Sequence, residues 1–238
     1  MVSISVNVSG WGTKDFSEED LRIYLNRHKP TLLEISKDLV DGKISIKKIY
    51  KIISEYKSKF DANISYAGTT DFVDCSGLSF LDYLRYLEIQ ASQAKFLKCQ
   101  YFRGMIGGNP KTRIDVISRL KKFQNKLRDC KLLIEIHGGW ESSLENIKKL
   151  VDYTNYDFVI DFQNVLESKL TFKEIKNIIP KTRIQYYHDR NLTYLDDGYI
   201  EHKESILEKQ KWSTYTSTRN ILWEPKKIGK GRILEFLK

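Results

Sequence analysis

Residues 131–162 read KLLIEIHGGWESSLENIKKLVDYTNYDFVIDF. Lys131–His137 is a dense apolar run of strand length. Ser143 can cap a helix that runs to about Tyr153, and Tyr156–Phe162 is apolar again. Strand, helix, strand in some thirty residues is the crossover unit of a parallel sheet, because a short turn can join only antiparallel neighbours.

The same alternation extends in both directions. Toward the N-terminus, Val2–Val8 reads as a first strand, and Ser17-Glu18-Glu19-Asp20 caps a helix over Leu21–His28 that Pro30 stops. Thr31–Ser36 follows as a second strand. Ser45–Phe60 is an amphipathic helix with Ile46, Ile49, Tyr50, Ile53 and Tyr56 on one stripe. Ala62–Ala67 is a third strand, Ser79–Gln93 a helix, Lys95–Arg103 a fourth strand and Thr112–Leu127 a helix. Toward the C-terminus, Thr171-Phe-Lys-Glu174 is a capping box whose helix ends at Pro180. Thr182–His188 is a seventh strand, Ile200–Gln210 a helix, and Asn220–Glu224 an eighth strand, with room for a short last helix at Gly231–Lys238.

Eight strand–helix units predict a single (β/α)8 TIM barrel over residues 1–238, of class α/β. An open doubly wound sheet is the rival, but the first turn, Ser9-Gly-Trp-Gly-Thr13, lacks its glycine spacing. Cys75, Cys99 and Cys130 include no Cys-x-x-Cys pair, which disfavours a disulfide framework or structural zinc. Residues 1–8 do not read as a signal peptide, and no run approaches the roughly 18 apolar residues of a membrane span. The expected setting is cytoplasmic.

Catalytic groups in such barrels stand at the carboxyl ends of strands. Here four consecutive strands end in Glu135, Asp161, His188 and Glu224. Three carboxylates and one imidazole suit a divalent ion such as Mn²⁺, Mg²⁺ or Co²⁺. A solvated strand end is the plain alternative for each residue taken alone. Around them, Arg190 could grip a carboxylate or phosphate, and Trp11 and Trp140 could wall a ligand with their apolar ring faces. Lys98, Gln100 and Arg103 lie on the expected fourth strand, with their inward parity open.

From Leu132 to Pro225 the chain resembles the xylose isomerase-like barrel family of sugar isomerases, sugar epimerases and endonuclease IV. The pieces are Ile134-Glu135-Ile136-His137, the tetrad opened by Asp161, His188-Asp-Arg-Asn191 and Leu222-Trp-Glu224-Pro225, with a fainter match at Leu33-Glu34-Ile35. The resemblance implies that Glu135, Asp161, His188 and Glu224 bind one metal, Mn²⁺ foremost, with Mg²⁺, Co²⁺ or Zn²⁺ as alternatives. It also implies that Glu135 and Glu224 move protons next to a substrate carbonyl, through an ene-diolate. His137 and Asn164 would contact substrate. Two positions depart from the family: Asn164 stands where the tetrad ends in His, and Asn191 where the His-x-x-Asp ends in Asp. Asn can hydrogen-bond but cannot titrate.

The implied partner is a small carbohydrate, phosphorylated or acidic, bound by a chain that could self-associate. The formal charge of +9 favours anions, although lysines on solvated helix faces account for much of it. A DNA-repair activity would call for further histidines on the early strands. The chain has only His28, His137, His188 and His202. A barrel that binds a ligand without turnover is the remaining alternative.

Overall fold

Two kinds of side chain alternate along every well-buried strand of the protein. One kind fills the layer beneath the helices and the other fills the centre of the sheet. The computed structural model describes residues 4–6, 15–68, 72–73, 79–111, 115–189, 192–195, 198–201 and 220–223.

The elements, in chain order, are β1 (Ile4–Val6), α1 (Glu18–His28), β2 (Leu32–Ser36), α2 (Lys37–Val40), α3 (Ile46–Lys57), β3 (Asn63–Ala67), α4 (Phe80–Phe96), β4 (Tyr101–Gly104) and α5 (Val116–Leu127). They continue as β5 (Lys131–Ile136), α6 (Leu144–Tyr153), β6 (Asp157–Asp161), α7 (Phe162–Glu167), α8 (Phe172–Ile178), β7 (Ile184–Asp189), β8 (Leu192–Leu195), β9 (Gly198–Glu201) and β10 (Asn220–Trp223). The main sheet has the order β1-β10-β7-β6-β5-β4-β3-β2, and its paired strands are all parallel. β1 also touches β2, so the two ends of the sheet meet. This is a TIM barrel, with β10 as its eighth strand.

The outer layer packs Leu33, Ile35, Ile64, Tyr66, Phe102, Leu132, Ile134, Ile136, Phe158, Ile160 and Tyr187 under the helices. α5 covers it with Val116, Leu120, Phe123 and Leu127, and α3 with Ile49, Ile52, Ile53 and Tyr56. The inner layer begins with an apolar plug of Leu32, Leu133, Val159 and Tyr186, against which Tyr101 packs. Two residues further along the strands, on the same face, come Glu34, Arg103, Glu135, Asp161 and His188, all buried. The apolar plug therefore gives way to a charged layer toward the carboxyl ends of the strands.

The structure corrects several sequence expectations. The fourth strand begins at Tyr101, not at Lys95, because α4 runs on to Phe96, and Lys98, whose φ is 52°, turns the chain away after it. Gln100 precedes that strand and takes the Ile64 N–H on its side-chain oxygen at 2.7 Å. A helix was expected from Ile200, but β8 and β9 pair as an antiparallel hairpin that reaches Glu201. α2 and α7, one short helix directly after each of two strands, carry no marked periodicity. The expected cap at Ser17 forms as a capping box with Asp20, and the expected capping box at Thr171 with Glu174 forms too. The short helix expected at Gly231–Lys238 lies outside the described residues.

Candidate metal centre

Glu135, Asp161 and His188 come from β5, β6 and β7, three neighbouring strands of the barrel. Each points inward because it lies an even number of residues from a plug residue of its own strand: Leu133, Val159 and Tyr186. One ligand atom from each lies within 4.8 Å of the others, and all three side chains are sealed from solvent. His188 Nδ1 lies 3.0 Å from Glu135 Oε1 and 3.9 Å from Asp161 Oδ2. Asp161 is itself held by the backbone N–H of Asn164, which donates to Oδ1 at 2.9 Å.

Two further charged groups among the described residues join the layer. Arg103 donates from Nε to Glu34 Oε2 at 2.9 Å and from Nη2 to Glu34 Oε1 at 3.2 Å, while its Nη1 bonds Glu135 Oε2. Tyr186 donates its phenol to Glu34 Oε2 at 2.7 Å and lies 2.9 Å from the Ser65 hydroxyl. His188 Nε2 faces Glu34 Oε1 at 3.4 Å.

Burial alone would raise the pKa of Glu34, but Arg103 and His188 outweigh it and hold this carboxyl well below its usual range. Burial likewise opposes charge on His188, yet Glu34 and Glu135 hold its pKa up at about 10. Among the described residues, three carboxyls thus share the layer with one guanidinium and one imidazole. Two carboxylate oxygens and an imidazole nitrogen, drawn together in a sealed and acid-rich pocket, fit a divalent cation.

The rim above the layer is laced between the loops after β4 and β5. Trp140 N–H donates to Gly107 O at 2.8 Å, and Gly107 and Gly108 take φ of 73° and 69°, which favour glycine. Glu141 is fully buried here and accepts the Ile106 N–H at 3.2 Å. Burial pushes its carboxyl up to about 8, with the Glu135 charge adding to the shift and backbone N–H groups of Ile106 and Gly107 opposing it.

The remaining sequence candidates divide into three groups. His137 directly follows β5, is half-buried, and accepts the Ser168 hydroxyl on its carbonyl at 3.4 Å. Asn164 is buried beside Asp161, and its side-chain nitrogen has no hydrogen-bond partner among the described residues. Arg103 reaches the charged layer, but its guanidinium fork is taken up by Glu34 and Glu135, which makes it part of the wall. Trp140 sits in the apolar layer outside the barrel, where its carbonyl accepts from Asn146, and it does not join the triad. Glu224, Arg190, Trp11 and Asn191 lie outside the described residues. Glu34, Tyr186, Ser65 and Glu141 belong to the charged layer or its rim, and only Glu34 had any sequence signal, through its faint motif on the second strand.

No family model matches the sequence, and no curated protein does. Solved structures do match its shape. A xylose isomerase domain-containing protein from Salmonella typhimurium LT2 superposes with a TM-score of 0.72 at 13% identity, over 98% of this chain and 94% of the other. The IOLI protein, whose structure carries a zinc atom, gives 0.68 at 12% identity over 99% and 95%. An L-ribulose 3-epimerase gives 0.67 at 15% identity over 99% and 86%. No helix among the described residues is long and apolar enough to cross a membrane. Strand order, closure and these likenesses agree: the chain has the fold of the xylose isomerase-like TIM barrels.

Proposed function

We propose that this protein is a metal-dependent isomerase or epimerase of a sugar or sugar phosphate, working by proton transfer next to a carbonyl. The observation that carries this reading is the convergence of Glu135, Asp161 and His188 from three strands on one sealed point. The epimerase and the zinc-bearing protein that share the fold support it.

In this reading Glu135, Asp161 and His188 hold a divalent ion, with Glu224 as the fourth ligand. Mn²⁺ is the first choice, and Mg²⁺, Co²⁺ and Zn²⁺ are alternatives. The ion supplies positive charge beside the substrate's carbonyl and hydroxyl oxygens, which acidifies the neighbouring C–H bond. Glu135 takes that proton, and Glu224 returns one from the other face of the sugar. The pair of electrons left on carbon is delocalised onto the carbonyl oxygen, so proton count and charge balance over the cycle. His137 and Asn164 orient hydroxyls, Arg190 grips an anionic group, and Trp11 closes over the sugar. Arg103 and Trp140 act from behind, by fixing Glu135 and the rim.

The test has two arms. Thermal shift with Mn²⁺ and with EDTA, on wild type and Glu135→Gln, should show stabilisation by Mn²⁺ that the variant loses. Incubation in heavy water with a panel of ketoses and ketose phosphates should then exchange a carbon-bound proton in one of them. Metal binding with no exchange across the panel would favour a binding protein, a reading that Asn164 and Asn191 keep in play. No metal response, joined to steeply salt-dependent binding of abasic duplex DNA, would overturn the proposal in favour of repair.

A further inference from the structure

Glu34 is fully buried on β2 and faces the back of the triad. Groups from two other strands fix its carboxylate, Arg103 on β4 through two nitrogens and Tyr186 on β7 through its phenol, which Ser65 on β3 braces in turn. What remains of the carboxylate lies beside the far nitrogen of the triad's imidazole, with Glu34 Oε1 3.4 Å from His188 Nε2, a charge contact looser than a hydrogen bond. The near nitrogen, Nδ1, faces Glu135 and Asp161. A neutral imidazole can ligate through one nitrogen only if its proton stays on the other, and a carboxylate at that other nitrogen decides where the proton stays.

We infer that Glu34 is a positioning residue for the metal centre: it accepts a hydrogen bond from His188 Nε2–H, so that Nδ1 is the ligand, and it anchors Arg103 against Glu135. The second half follows from the same geometry. Arg103 occupies Glu135 Oε2, which leaves Oε1 as the oxygen turned toward His188 and Asp161. Glu34 thereby sets the presentation of two of the ligands, Glu135 and His188, without being one. The inference rests on the metal-binding reading above.

The experiment titrates metal-free wild type, Glu34→Gln and Tyr186→Phe with Mn²⁺ and with Zn²⁺ by calorimetry. It also records imidazole ¹H–¹⁵N spectra of the Zn²⁺-loaded proteins. Metal affinity should fall about 10- to 100-fold in Glu34→Gln and by a smaller factor, roughly 3- to 10-fold, in Tyr186→Phe. In loaded wild type, His188 should carry its proton on Nε2 in a strong hydrogen bond, with Nδ1 bound to zinc. That proton resonance should shift upfield in Glu34→Gln, a change that general loosening of the fold would not produce. Wild-type affinity in Glu34→Gln with an unmoved Nε2–H resonance overturns the inference and leaves the metal site standing. A wild type that binds neither ion overturns the metal reading and this inference with it. Should Glu34→Gln fail to fold, Tyr186→Phe decides alone: unchanged affinity and an unchanged resonance overturn the inference.

Discussion

Arg103 Nε donates to Glu34 Oε2 across 2.9 Å inside the barrel, joining β4 to β2 through a pair that is almost wholly shielded from water. A buried pair of this kind is worth little net over apolar packing, because both charges give up their hydration. Breaking it is another matter, since the surviving charge keeps its desolvation cost and loses its partner.

Arg103→Met leaves Glu34 and Glu135 facing one another with no guanidinium between them. It should destabilise the metal-free protein by about 3–5 kcal/mol, read as a lower urea midpoint at constant slope. Glu34→Leu combined with Arg103→Met should recover part of that loss, because the orphaned Glu34 charge goes with its partner. A double variant less stable than Arg103→Met would show that the pair itself, and not the stranded charge, supplies the stability.

Glu141 makes a prediction in pH. Its carboxyl is raised to about 8, chiefly by burial, so folding favours the protonated form. The associated stability is fully present below the unfolded value near 4.5 and drains away as pH rises toward 8. Glu141→Gln is neutral throughout and retains an oxygen to accept the Ile106 N–H. Its Tm should match wild type near pH 4.5 and exceed it progressively up to pH 8, by about 2–4 kcal/mol or roughly 5–10 °C, then stay level. A Tm difference that does not change with pH would rule this out.

The barrel was legible because its strands are short apolar runs spaced by helical stretches, and the outer layer of Leu132, Ile134 and Ile136 needs only that spacing. Inward parity was harder. β2 and β4 are buried on both faces over most of their length, so hydrophobicity alone cannot say whether Glu34 or Arg103 points to the centre. The register of Ala67 with Arg103, and of Arg103 with Leu133, settles it. Glu141 reads in sequence as an ordinary loop acid, and only the contact between two rim loops buries it. The β8–β9 hairpin did have a local cue, two residues joining two short alternating runs, which the apparent helical period from Ile200 obscured.

Gly138 and Gly139 are adjacent in the β5 loop but differ in what surrounds them. A Cβ at Gly139 would stand 2.6 Å from the Gly107 backbone, whereas one at Gly138 would meet nothing within 4 Å. Gly139→Ala must push the two rim loops apart and stretch the Trp140 to Gly107 hydrogen bond, at a cost of about 1–3 kcal/mol. Gly138→Ala should fall within about 0.5 kcal/mol of wild type. Paired thermal denaturation curves check both, and equal Tm values for the two variants would contradict the contact.

His188 links the proton to the metal. With its pKa held near 10 by Glu34 and Glu135 against the pull of burial, the metal-free protein carries an imidazolium at neutral pH. The sign follows directly: this charge stabilises the fold fully below pH 6.5, and the benefit fades as pH rises through 10. A cation seated at Nδ1 must displace that proton. Calorimetry of Mn²⁺ binding at pH 7.5, in buffers of different ionisation enthalpy, should therefore report release of about one proton per ion. Affinity should rise about tenfold per pH unit from 7 to 9, as the proton competes less. Binding with no proton release, or with an affinity flat across that range, would place the cation somewhere other than on His188.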